Sequence, residues 1–519
     1  MKKNIYVIGL ALSVSLLSSC GDYLDVKPVG KMIPTEVSQF ENVLNNTTTL
    51  SYQFMDNNRG CSYAFLGDNL QISENQMKFN YNASFPNQDL IAAYKYYSPM
   101  LDPKSTPMWW TYGYRALGLF NNIIDGVSGI DAESAYAKGV IAEAKVGRAW
   151  IYMNFALMYG PMYDPNSAND TKVIPFRLSG DPTVANGDLA TTAQVFAGIK
   201  EDLDYACENC PQTVANPSRA NKAAAYAARA EYYMYLRDWS NMLADSKKAW
   251  ELALENVGGD ESKLIYNFAD FSYYSTSPVE PDPGCDKEYY MDIQGPDNVF
   301  DQTTNRENLL YRIAPSSRVV SRFYPSDDWA SIFDKEHDLR WKLFALKAPG
   351  YTGKQGGESY DDGPRVLYTR ADNLSNTQAY THPLLLLMKA EAEARTGDRT
   401  AALADLNILR KYRYSGEDTS LKDASLSGDK LLEEILNERR REQPLVSIQR
   451  TLDLKRYVFD SGKPWCKTTI THKCGAKTYS KAITDAYYQS LNIDNAILKY
   501  NPQWGISLNT DNYEPYNAD

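Results

Sequence analysis

Apolar residues recur at three- and four-residue spacing over several long stretches, and these helical stretches come in pairs. The first pairs Ser134–Tyr159 with Thr192–Glu208, across a loop that holds Gly160, Pro161 and Pro165. The second flanks Arg237–Asp238, the third spans Met388–Arg413, and the fourth joins Asp429–Arg441 to Leu445–Phe459. Sliding the chain by 160 residues lays the second pair on the third: Ala230-Glu231 on Ala390-Glu391, Asp238 on Asp398, and Leu243-Ala244-Asp245 on Leu403-Ala404-Asp405. In each copy one helix stops at the aspartate, and small alanines let the next pack closely against it.

A helical hairpin of about 34 residues is the tetratricopeptide pattern. One such unit cannot bury its apolar faces alone, whereas four can stack into a spine. The expected fold is therefore mainly α, with four hairpins forming a right-handed spine and a loop-rich second lobe covering one face. Two regions stand outside the repeats. One is polar and turn-rich from Gly21 to about Thr106, followed by a helix over about Pro107–Val127; the other is Glu261–Tyr380, punctuated by prolines and glycines. Insertions of that length usually carry function. The predicted organisation is a leader over 1–19 and one body over 20–519. Within the body, repeats 1 and 2 fall in about 20–260, the insertion in about 261–380, and repeats 3 and 4 with the C-terminal segment in about 381–519.

The leader has a chemistry of its own. Lys2 and Lys3 precede the apolar run Ile5–Leu17, which is too short to span a bilayer and suits a secretion signal. Leu17-Ser18-Ser19-Cys20 then resembles the bacterial lipobox, so Cys20 is expected to carry lipid and become the mature N-terminus. Several acyl chains hold a water-soluble body on a membrane far more firmly than one.

Charge and composition narrow the function. The 519 residues carry 54 Lys plus Arg against 65 Asp plus Glu, a net charge of -11, which argues against a polyanion-binding surface and against nucleic acid. The three histidines, His337, His382 and His472, lie far apart, and the pattern calls for no metal site and no cofactor. Six cysteines remain besides Cys20; Cys207 and Cys210 form a CxxC read as structural, with a local disulfide as one option.

Taken together these residues resemble the SusD-like (RagB/SusD) family of glycan-binding outer-membrane lipoproteins. The resemblance begins at Cys20 with Asp22-Tyr23-Leu24-Asp25. It continues through Trp110, Tyr114, Leu117 and Asn121, and through Ala142–Pro161 with its Tyr-Gly end. It takes in Leu406, Asn407 and Arg410 of the third unit, then Glu438, Arg439 and Glu442, then Asp453, Leu454 and Arg456. Val446 and Ser447 depart from the family's usual Glu-Gly. The resemblance implies a non-catalytic protein with a glycan ligand, anchored by lipid to the outer membrane and facing the cell exterior. It also implies a SusC-like TonB-dependent transporter as partner.

A glycan needs flat apolar rings for its C–H faces and amides or charges for its hydroxyls. Tyr94–Tyr114 is the densest aromatic stretch, with seven rings in 21 residues. Trp110 shares a helix face with Tyr114, Leu117, Asn121 and Ile124, which assigns it to packing; Trp109 lies off that face. The candidate ligand contacts are thus Trp109 with Tyr96 and Tyr97, and, in the insertion, Tyr273, Tyr274, Tyr289, Tyr290 and Trp329. Two other readings stay open. A glycoside hydrolase needs two carboxyls about 5 to 9.5 Å apart, for which Asp327 with Asp328 and Asp361 with Asp362 are candidates. A tetratricopeptide scaffold for envelope proteins needs no sugar site at all.

Overall fold

The computed structural model describes residues 34–45, 61–78, 88–104, 109–312, 323–355, 357–369, 377 and 379–515. The leader, Cys20 and the Asp22–Asp25 motif lie outside the described residues. The protein is mainly α. In chain order, β1 is Leu70–Gln71, α1 Gln88–Lys95, α2 Trp109–Ile130, α3 Ala135–Met158, α4 Thr192–Asn209, α5 Lys222–Leu236 and α6 Trp239–Asn256. The insertion adds β2 (Ser272–Tyr274), β3 (Asp292–Gln294), β4 (Tyr324–Pro325) and the short helix α7 (Asp327–Ser331). Beyond it come α8 (His382–Thr396), α9 (Arg399–Arg413), α10 (Lys430–Glu442), α11 (Ile448–Tyr457), β5 (Thr469–Cys474) and β6 (Lys477–Ala482). Strands among the described residues occur only as two-stranded antiparallel pairs.

The four pairs expected from the sequence form: α3 packs on α4, α5 on α6 and α8 on α9, while α10 joins α11 through Arg439 Nε to Asp453 Oδ2 at 3.0 Å. Contacts of α4 with α5, α6 with α8 and α8 with α10 chain the pairs into a row. Local chemistry sets each start. Ser134, Thr191, Asn221, Asp238, Thr381 and Asp398 each cap a helix by accepting a backbone N–H, and Thr191 and Gln194 form a reciprocal capping box. The 160-residue repeat reaches into backbone detail. Arg237 (φ 60°) and Gly397 (φ 98°) both end their helices left-handed, and each is followed by a capping aspartate. Arg237 tolerates that conformation because its guanidinium meets Asp460 at 2.8 Å and lies over Trp239.

A buried ionic network fixes the insertion to the row. Arg340 forms ion pairs with Asp338, Glu438 and Glu442 at 2.7, 2.6 and 2.5 Å, and Arg413 with Glu442 and Glu307 at 2.9 and 2.7 Å. One cluster of buried apolar residues runs from Val37 to Leu491, and a smaller one lies inside the insertion. Cys207 and Cys210 are free buried thiols, so the local disulfide is not formed.

Candidate functional site

The two non-repeat regions meet edge to edge. β1 pairs with β4, Leu70 opposite Pro325 and Gln71 opposite Tyr324. Ser326 reinforces the seam: its N–H donates to Asn69 O (2.8 Å), its hydroxyl donates to Asp68 O (2.6 Å), and the same oxygen caps α7 by accepting from Trp329 N. The hairpin of β5 and β6 closes a third side. Its inner positions Ile470, His472 and Cys474 alternate with outward Thr469, Thr471 and Lys473. The hairpin turns at Gly475, where φ is 58° and Glu74 approaches so closely that a Cβ would strike its carboxyl.

Between these three segments lies a cleft of about 360 Å³. Its floor is apolar, from Leu70, Ile470 and Tyr94, and its rim is polar, from Gln71, Asp327, Asp328, Lys467, Thr469 and Lys473. The charges along the cleft are arranged in advance. Asp68 receives both Arg450 Nε (2.7 Å) and Nη2 (2.8 Å) and Lys467 Nζ (2.6 Å), while Asp328 receives Arg440 (2.8 Å) and Lys467 (3.0 Å). Burial alone would raise both carboxyl pKa values. The cations outweigh it, Arg440 first and then Arg450 and Lys467 at Asp68, and Arg440 and Lys467 at Asp328. Asp68 is held well below the usual carboxylate range and Asp328 below it. Asp327, beside them, is exposed.

His472 supports the floor. Its ring lies between Tyr94 and Tyr96, with centroids 4.4 and 4.8 Å away and planes within 14°, and its two nitrogens face Tyr94 O (2.8 Å) and Gly67 O (2.7 Å). Burial lowers its pKa.

A tyrosine shelf adjoins the cleft through Tyr324. Tyr324 and Tyr351 form the insertion's small core, with Tyr289 and Tyr360 half-buried on top. Tyr351 stacks on Tyr360 at 5.6 Å, and Tyr289 meets Tyr290 edge-on at 5.2 Å. Tyr324 donates to Asp362 (2.7 Å), which also accepts from Asn75 of the first non-repeat region (2.8 Å).

Against this geometry the eight candidate aromatics divide. Tyr289 and Tyr290 sit on the shelf, partly open. Tyr274 is 42% exposed on β2, opposite Asp292 of β3, while Tyr273 points the other way and donates its hydroxyl to Leu343 O. Tyr97 is half-buried and donates to Asn512 O at 2.9 Å, which ties it to the C-terminal segment. Two candidates need correction as ligand contacts. Trp329 is 0% exposed because Ser326 starts α7 so that the indole turns inward onto Phe333 and Tyr368. Tyr96 is 6% exposed because it covers His472 from below. Both hold the cleft rather than line it. Trp109 opens α2, but its side chain lies outside the described residues. Trp110 packs on Tyr114 and Tyr159 as its helix face requires.

The sequence reading missed Asp68, Gln71, Lys467 and the outward face of β5. The period-two pattern of Thr469–Cys474 before a glycine turn was the available signal for that strand. Among the described residues no group of three or more His, Cys, Asp or Glu side chains is placed to hold a metal ion, and no helix is long and apolar enough to cross a membrane.

Two family sequence profiles match the chain. One, described as starch-binding and associating with the outer membrane, covers residues 22–234; the other, described as the SusD family, covers 385–516. The chain belongs to the SusD-like family. Its fold agrees with solved SusD-like structures. A SusD superfamily protein from Bacteroides thetaiotaomicron is 16% identical, with a TM-score of 0.62 over 90% of this chain and 98% of that one. A surface glycan-binding protein A from Bacteroides uniformis is 17% identical, with a TM-score of 0.57 over 90% and 98%. A SusD-like carbohydrate binding protein from Bacteroides vulgatus is 15% identical, with a TM-score of 0.56 over 92% and 100%. No relative is found among curated proteins.

Proposed function

We propose that this SusD-like protein captures oligosaccharide at the cell surface without cleaving it and passes it to a TonB-dependent outer-membrane transporter. The observation that carries the reading is the junction cleft beside the tyrosine shelf. An apolar floor, fixed charges and partly open phenol rings suit a ligand that has C–H faces and many hydroxyls. The names of the structural relatives and the outer-membrane description of the family point the same way. Lipid at Cys20 is part of the proposal, as are the transporter and the outward-facing position, which follow from the family resemblance.

The acid pairs speak against hydrolysis. A glycosidase needs one carboxyl kept protonated near neutral pH. Asp328 instead sits between two cations that keep it ionised, and Asp362 is engaged by Tyr324 and Asn75. Native gel electrophoresis of the mature protein through starch, pullulan, xyloglucan and pectin tests the reading. Retardation without new reducing ends is the expected result. New reducing ends would make it an enzyme, and free migration through every gel would leave it without a glycan.

A further inference from the structure

A second groove, of about 420 Å³, shares no residue with the junction cleft. It follows a stripe of α2 in which Trp110, Tyr114, Gly118 and Asn122 recur every four residues, a length of about 18 Å at helical rise. The segment Pro175–Asn186 forms its other wall. The C-terminal segment packs beside the Trp110 end. Trp504 Nε1 donates to Gly187 O (2.9 Å), its ring lies 6.0 Å from Trp110, and Asn501 accepts from Asn186 (3.2 Å).

Three features distinguish this groove from a packing defect. Arg115 and Asn122 line it with a guanidinium and an amide that have no partner among the described residues, so both retain their full hydrogen-bonding capacity. Tyr500, next to Asn501, is 85% exposed, the most open large apolar side chain of the described structure. Leu178, Val184, Ile506 and Leu508, on the two segments that flank the groove, are all more than 40% exposed, a concentration that a monomer surface rarely keeps without use. The half-buried ring of Tyr114, with the unpaired donors and acceptors of Arg115 and Asn122 beside it, matches an extended sugar chain, whose faces are apolar and whose edges carry hydroxyls.

We propose that the groove between α2 and Pro175–Asn186, beside the C-terminal segment, is a second saccharide subsite, separate from the junction cleft. The ligand class rests on the glycan-binding reading. Two sites on one chain hold a polymer by avidity, because release of one leaves the other engaged.

Two variants of the full mature chain test it. A Cβ at Gly118, which lines the groove, meets no atom within 4 Å, so a side chain can start there without a clash at its first atom, and Gly118→Phe is designed to occupy the groove. Tyr500→Ala removes a ring that supports no core. Asp327→Asn serves as the junction-cleft control. Retention is read on gels of starch, pullulan, xyloglucan and pectin. For whichever polysaccharide retains the wild type, calorimetry with its short oligosaccharide counts sites, and melting temperatures confirm folding. The expected result is a stoichiometry near two that falls to one in Gly118→Phe, and at least fivefold weaker polymer retention in both groove variants. Unchanged stoichiometry and retention in both, with loss in Asp327→Asn, overturns the second site alone and leaves the apolar rim to a protein partner. If no polysaccharide retains the wild type, the glycan reading and this proposal fall together.

Discussion

At the scale of single residues, the cleft separates charges that hold the fold from charges available to a ligand. Asp68 is the hub: Arg440, Arg450 and Lys467 converge on it. Asp68→Asn leaves the buried Arg450 without its carboxylate and removes one of the two carboxylates that Arg440 and Lys467 share, and should destabilise the protein by about 3 kcal/mol, measured as a lower urea midpoint. Asp327→Asn, one residue from an equally charged neighbour but exposed, should change stability by less than about 0.5 kcal/mol while weakening glycan retention. A pattern reading could not make this division. Ser326-Asp327-Asp328-Trp329 looks like a polar loop that ends in an accessible ring, yet the serine cap starts a helix only five residues long, too short for periodicity to show which way the tryptophan turns. Tyr96 failed as a contact for a related reason: its partner His472 lies 376 residues away.

At the scale of elements, legibility follows length. The hairpins of 10 to 24 residues per helix were readable because small alanines, capping residues and a repeated turn all agree. Strands of two or three residues, such as β1 and β4, carry no usable alternation, and the cleft exists only where they pair. The repeated turn makes a clean test. Gly397 has a φ of 98°, and a Cβ there would meet nothing within 4 Å, so Gly397→Ala isolates backbone strain from crowding. It should cost about 1–2 kcal/mol, seen as a lower melting temperature with an unchanged denaturant slope. The equivalent position already carries Arg237, which offsets the same strain with its bond to Asp460. Arg237→Gly should therefore change stability less than Gly397→Ala does.

At the scale of the whole molecule, the question is what keeps the insertion seated on the hairpin row, since the cleft needs both. Besides the Arg340 and Arg413 network, His382 at the start of α8 joins them. Its backbone N–H donates to Glu307 O at 2.8 Å, and its ring Nδ1 faces Arg306 O at 3.0 Å, both on the insertion. The residue is buried, and desolvation lowers its pKa from 6.5 to about 4. A histidine kept neutral in the fold contributes its full stability above the unfolded pKa of 6.5. Below that the unfolded chain takes up the proton more readily, and by pH 4 about 3 kcal/mol is lost. Glu438 in the network is depressed to about 2: burial would raise it, but Arg340, Arg441 and Arg410 outweigh burial. Its contribution therefore survives until the pH falls below the usual glutamate value of 4.5. The two groups thus act in sequence on acidification, His382 between pH 6.5 and 4 and Glu438 only below 4.5. Hydrogen exchange at pH 7 and pH 5 should show the amides of residues 305–311 and 380–385 losing protection at pH 5, while those of α3 and α5 keep theirs. His382→Gln, which cannot titrate, should flatten the fall in urea midpoint over that interval. An equally steep fall in the variant would place the acid sensitivity elsewhere in the junction.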